Sequence, residues 1–167
     1  GELSVPGWDP THFNAPTEVA VESDGSFFVA DGYRNSRIAK FSPTGAFLHE
    51  WGALGRDPGA FEIPHGVDLD ANGRVWVADR ENSRVQVFDG EGHFETEWAL
   101  DPVVGRVANV APSPFGGVWV VGYREESPVA FLSVEGEVEI LLSADTAGMT
   151  AVHDVAIESR DVIYVSG

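Results

Sequence analysis

The chain has 167 residues, 43% of them hydrophobic, with 19 Gly, 10 Pro and no Cys. That length suits one domain or part of a larger one and the apolar content excludes disorder, while the missing Cys excludes disulfide and thiolate chemistry but fixes no compartment, secreted and periplasmic ones included. A net charge of −17 repels phosphate backbones and excludes nucleic acid as a natural partner, and no apolar run is long enough for a membrane span or reads as a targeting signal.

Short apolar runs punctuated by Gly and Pro turns predict strands along the whole chain. The first run, PTEVAVE, is anchored at Thr17; SFFVAD ends at Asp31, NSRIAKF starts at Asn35, and TGAFLHEW ends at Trp51. The second set opens in PHGVDLD at His65 and continues as RVWVAD to Asp79, NSRVQVF from Asn82 and EGHFETEW. The third opens in VANVAPS at Ala108, with GVWVVG to Gly122, a weaker ESPVAFL from Glu126, and EGEVEILL. The last opens in VHDVAIE at His153 and runs through VIYVSG to Gly167. The anchors step by 48, 43 and 45 residues. Four short strands at this period predict an all-β chain of β-propeller blades, at 15–54, 62–100, 105–143 and 150–167, the last incomplete. Three and a half blades leave sheet edges and apolar faces uncovered, which predicts a slice of a larger, six-bladed propeller or self-association that completes the ring.

Innermost strands line the channel of such a ring, so His65 and His153 are expected to look into it. Blade strands run antiparallel, which places the turn after the second strand on the same face as the opening of the first. Asp79, Arg80 and, one blade earlier, Tyr33 therefore share a face with His65. Two imidazoles around one axis are either channel-lining polar residues or two ligands of a catalytic Zn²⁺, whose third would come from a blade before Thr17. Tyr33 stands on an insertion relative to the next blade and is either a reactive group or a packed aromatic. Arg37 and Arg84 occupy equivalent repeat positions and read as structural ties between strands. His12, His49 and His93 read as surface residues.

The repeat resembles the NHL family in its Pro, small strand, VAD, N-x-R-I/V and closing aromatic. VPGWDPTHFNAPTEVAVESDGSFFVADGYRNSRIAKFSPTGAFLHEWG, PGAFEIPHGVDLD and VADRENSRVQVF are, more closely, similar to the peptidyl-α-hydroxyglycine α-amidating lyases. DGYRNSRI and ADRENSRVQ are distinctive of those lyases, and VHDVAI matches their later histidine strand. The resemblance implies a zinc-dependent lyase that cleaves the carbinolamide N–C bond of a peptidyl-α-hydroxyglycine to a peptide amide and glyoxylate. It implies Zn²⁺ at His65 and His153, a catalytic base at Tyr33 and a substrate-facing arginine at Arg80, which the residues alone read as a surface arginine. It also implies a structural Ca²⁺ ligand at Asp154, where the residues alone equally allow a strand-edge hydrogen-bond acceptor. A further active-site arginine of those lyases would lie upstream of Gly1. Where their animal members pair cysteines, this chain has Arg34, Trp76 and Val87. A non-catalytic NHL protein-interaction module and a degenerate fragment that is inactive remain the other readings, since a propeller fold does not select a function.

Overall fold

The computed structural model describes residues 5–101, 103–123, 128–147, 152–159 and 162–167. Three four-stranded antiparallel sheets and one two-stranded sheet follow one another along the chain. The first sheet is β1 (Glu18–Val21), β2 (Phe27–Asp31), β3 (Arg37–Phe41) and β4 (Phe47–Trp51). The second is β5 (Pro64–Leu69), β6 (Val75–Asp79), β7 (Arg84–Phe88) and β8 (Phe94–Ala99). The third is β9 (Val107–Pro112), β10 (Val118–Gly122), β11 (Val129–Leu132) and β12 (Val138–Leu142). Strands β13 (Asp154–Ser159) and β14 (Val162–Ser166) form the last. Within each sheet the spatial order equals the chain order, the up-and-down arrangement of propeller blades. No helix among the described residues is long and apolar enough to cross a membrane.

Strand composition follows depth in the blade. The second and third strands of the second blade, VWVAD and RVQVF, are buried at every position, because neighbouring blades cover both faces. Its outermost strand, FETEWA, is almost wholly exposed and carries two glutamates. The core is accordingly layered between blades. Phe28, Ala30 and Ile38 of the first blade meet Val67, Val75, Val77 and Phe88 of the second, with Phe61 from the connecting segment. Trp76, Ala78, Val85 and Val87 meet Val107, Val110, Val118 and Val120 of the third. Ala108, Ala111, Val121 and Val129 meet Val155 of the last sheet. Phe61 is wholly buried and touches Phe88 at 5.7 Å between ring centroids, so Phe61→Ala would cost ~3–5 kcal/mol.

The recurring Asp, Asn and Arg of the first two blades make one latch in each. Asp31 accepts hydrogen bonds from Asn35 (2.6 Å) and from Nε of Arg37 (3.0 Å), and Arg37 reaches Glu50 of β4 at 2.6 Å. Asp79 accepts from Asn82 (2.8 Å) and Nε of Arg84 (2.8 Å), and Arg84 reaches Glu97 of β8 at 2.8 Å. Each arginine also donates to main-chain oxygens of the segment entering its blade: Asp9 and His12 for Arg37, and Arg56, Asp57 and Ala60 for Arg84. The buried charges are thus paired and their donors satisfied, the condition for tolerating an ion pair in a core. The third blade has Gly122 where the others have Asp31 and Asp79, and the latch is lost there.

A second device joins successive blades. Trp51, closing β4, lies under Gly92 in the β7–β8 turn, where a Cβ would stand 2.6 Å from the indole. Trp98 lies in the same way under Gly136 of the next blade. Both glycines have positive φ, 85° and 83°, which glycine alone adopts without strain. Gly45, the equivalent turn residue of the first blade, has φ 79° and nothing within 4 Å of its absent Cβ.

Candidate functional site at the channel mouth

The openings of the innermost strands and the turns after the second strands gather at one end of the channel. Pro64 pairs with Asp79 and Gly66 with Ala78, so His65 is the extra residue of a β-bulge. Ala108 holds the same place in the third blade, between the Val107–Gly122 and Asn109–Val121 pairs. A bulge re-aims the side chain it carries. The His65 ring turns to the neighbouring blade, and its Nδ1 lies 2.8 Å from the main-chain oxygen of Ala108. A carbonyl only accepts, so the proton sits on Nδ1 and the lone pair on Nε2 faces the mouth.

Tyr33 meets that lone pair. It belongs to the four-residue helix α1 (Gly32–Asn35), whose first residue permits a close approach: a Cβ on Gly32 would collide with the carbonyl of Pro64. The hydroxyl of Tyr33 lies 3.3 Å from Nε2 of His65, with the rings edge to face at 5.7 Å. The His153 ring stands 5.1 Å from that of His65, and Tyr123, at the end of β10, stands 6.4 Å from His153. Arg80 begins the 3-10 turn Arg80–Asn82, with its guanidinium 5.3 Å from the Tyr33 ring centre and 5.0 Å from that of Tyr123. Glu81 binds Nε of Arg80 at 3.0 Å and Nε of Arg106 at 2.9 Å. Burial pushes the His65 pKa below the ordinary histidine value; the charges of Arg80 and His153 add to this, and the Ala108 carbonyl opposes it. The result is a neutral imidazole beside a phenol and an arginine in a partly dry mouth.

Four residues singled out in the sequence, Tyr33, His65, Arg80 and His153, therefore stand together. Asp154 stands apart from them, exposed at the start of β13. Its carboxylate accepts a hydrogen bond from Asn109 at 2.5 Å, and the same amide donates to Glu18 at 3.1 Å. The link from Glu18 to Asn109 passes over Gly66, where a Cβ would stand 2.9 Å from Asn109. Burial drives the Glu18 pKa up to about 7, with the Asp154 and Asp68 charges adding and the Val67 N–H and Asn109 amide opposing. Asp68 is raised for the same first reason. Among the described residues no three imidazole or carboxylate side chains converge as a metal site.

Of the remaining histidines, His12 and His93 pair with Asp9 and Asp89 at 2.9 and 2.8 Å, and His93 is exposed. His49 departs from the surface expectation: it stacks on Trp51 at 5.9 Å, and its buried Nε2 has no hydrogen-bond partner among the described residues. Three members of the mouth and channel, Tyr123, Glu18 and Asn109, were not foreseen. Tyr123 follows Gly122 as Arg80 follows Asp79, but in a blade without the NSR motif, so the turn is not marked in the sequence. Glu18, Asn109 and Asp154 each sit one residue after an anchor, a regularity visible in the alignment of repeats.

The NHL repeat family model matches residues 13–41 and 61–88. Peptidyl-glycine alpha-amidating monooxygenase B of Xenopus laevis is 36% identical over 99% of this chain and 20% of its own length. A probable peptidyl-alpha-hydroxyglycine alpha-amidating lyase of Caenorhabditis elegans is 36% identical over 99% of this chain and 50% of its own length. NHL repeat-containing protein 3 of Homo sapiens is 46% identical over 95% of this chain and 48% of its own length. The chain thus spans half or less of these curated relatives. Among solved structures, a streptogramin B lyase superposes with a TM-score of 0.69 at 18% identity, covering 88% of this chain and 46% of that one, a likeness of fold. The chain is built of β-propeller blades, is similar to the NHL repeat at residues 13–41 and 61–88, and resembles, over nearly its whole length, the peptidyl-α-hydroxyglycine α-amidating lyases.

Proposed function

We propose that the channel mouth is the site of a lyase that acts on peptidyl-α-hydroxyglycines and releases a peptide amide and glyoxylate. The observation that carries this reading is the meeting of Tyr33, His65, Arg80 and His153 at one mouth, from turns and strands of three different sheets. The reaction breaks the C–N bond of the carbinolamide. The hydroxyl proton leaves, its electron pair forms the new C=O, and the departing nitrogen takes up a proton. Tyr33, acting as its phenolate, takes the hydroxyl proton; its oxygen lies 3.3 Å from Nε2 of His65, and the Arg80 guanidinium lies against its ring. Arg80 holds the substrate carboxylate, which glyoxylate retains.

His65 and His153 suit a zinc ion. His65 is neutral, and its distal nitrogen is tied to a carbonyl, the usual outer partner of a metal-bound imidazole. Two Zn–N bonds of about 2.0–2.1 Å at a tetrahedral angle put ring centres roughly 5 Å apart, and these stand at 5.1 Å. When bound, Zn²⁺ supplies Lewis acidity at the substrate hydroxyl. Asp154 is the candidate Ca²⁺ ligand; the uncompensated carboxylates Glu18 and Asp68 near it make that part of the channel favourable to a hard cation.

The test is glyoxylate release by the full-length protein at matched zinc occupancy. Tyr33→Phe is expected to lower turnover by ~10²–10⁴, the usual cost of losing a general base, with unchanged melting temperature. Equal rates would remove Tyr33 from the chemistry. No glyoxylate from the unaltered, zinc-loaded protein would overturn the lyase in favour of an NHL interaction module.

A further inference from the structure

Arg80 is only 9% exposed although it starts a surface turn, and its side chain is held by neighbours from three blades. Tyr33 of the first blade flanks the guanidinium on one side, and Glu81 of its own blade takes Nε. The third blade supplies the rest. Tyr123 places its ring 5.0 Å from the guanidinium carbon, closer than Tyr33 does. Its main-chain N–H donates to the carbonyl of Arg106 at 2.6 Å, and Arg106 in turn holds the second oxygen of Glu81. Tyr123 and Arg106 thus brace Arg80 and its carboxylate partner from one strand end. Among the described residues, the terminal nitrogens of Arg80 make no hydrogen bond. A planar cation with Nε engaged and two aromatic neighbours keeps one free edge, the geometry that binds a carboxylate through two parallel N–H groups.

We propose that Tyr123 is a positioning residue: it acts through Arg80, holding the guanidinium so that its free edge forms a fork for the carboxylate of the substrate and of glyoxylate. The identity of that anion rests on the lyase reading; the bracing of Arg80 by Tyr123 does not. The ring carries the effect through its attraction for the cation, so the hydroxyl is dispensable. Tyr123 is 46% exposed and its removal leaves the blade core intact.

The experiment measures, on the full-length protein, KM and kcat for glyoxylate release and, separately, calorimetric binding of glyoxylate. Tyr123→Leu is expected to raise both KM and the glyoxylate Kd by ~3–30-fold, the range of a partly buried cation–π contact, with kcat changed less than about twofold. Tyr123→Phe is expected to bind like the unaltered protein. Unchanged KM and Kd in Tyr123→Leu would overturn the proposal. So would a Tyr123→Phe variant as weak as Tyr123→Leu, because the hydroxyl would then carry the role. A fall in kcat alone would assign Tyr123 to the chemistry and overturn it as well. If the unaltered protein releases no glyoxylate, the lyase reading fails. The calorimetric comparison still decides the fork: loss of glyoxylate binding in Tyr123→Leu sustains it, and no binding to the unaltered protein refutes it.

Discussion

Nδ1 of His65 and the main-chain oxygen of Ala108 lie 2.8 Å apart across the boundary between the second and third blades. This one bond selects the tautomer, orients the ring and anchors a bulge residue to the next sheet. It leaves Nε2 as the only nitrogen free to bind a proton or a metal ion.

The pKa values of two histidines should accordingly be displaced in opposite directions. Burial holds His65 below the usual value near 6.5, whereas exposed His93, bonded to Asp89, is raised above it. On lowering the pH, His93 gains its proton before His65. Because the folded pKa of His65 is depressed, its contribution to stability is present above the unfolded value and is lost as pH falls below about 6.5. Long-range ¹H–¹⁵N correlation spectra would check this. A His65 that carries its proton on Nε2 at pH 8, or protonates before His93, would contradict the assigned geometry.

The glycine-over-tryptophan contact can be isolated by comparing two turns. Gly45→Ala meets only the backbone penalty of a left-handed residue, ~1–2 kcal/mol. Gly92→Ala meets the same penalty and also drives a methyl group into Trp51, adding ~1–3 kcal/mol of overpacking. At roughly 2–4 °C per kcal/mol for a chain of this size, Gly92→Ala should melt several degrees below Gly45→Ala. Equal melting temperatures would mean that the indole moves aside freely.

Glu18 makes the channel sensitive to pH. Its folded pKa of about 7 lies above the ordinary 4.5, so the folded chain holds this proton more tightly than the unfolded chain does. Stability therefore falls as pH rises from about 4.5 through about 7, by on the order of 3 kcal/mol. Glu18→Gln keeps an acceptor for the Val67 N–H and removes the charge, so its melting temperature should decline less between pH 5 and 8. Parallel declines in the two proteins would show that Glu18 ionises without cost.

The repeat, the blade order and the common face of Tyr33, His65 and Arg80 were legible because they follow from period and antiparallel pairing alone. Arg37 and Arg84 were legible as structural for the same reason, and each lies in a latch. What the sequence hid depends on individual packing. That His65 occupies a bulge is a matter of one unpaired residue, which changes neither composition nor period. Tyr123 was hidden because its blade has lost the Asp–Asn–Arg latch that marks the turn elsewhere. His49 was hidden because its alternation places it on an outer strand, and only the neighbouring indole decides that it is covered.

The latches also define what a blade inherits. Arg37 and Arg84 grip the chain that arrives, at residues 9–12 and 56–60, while Phe61 of the same arriving segment fills the core layer. The connecting segment therefore travels with the sheet that follows it. A duplication or recombination that respects this carries the arriving loop and its sheet together, with its seam just after the closing Trp51 or Trp98. A seam placed at the first strand instead would part Arg37 and Arg84 from the carbonyls they hold. A grafted blade cut at Gly52 should keep its own fastening, and one cut at Pro64 would have to borrow a stranger's.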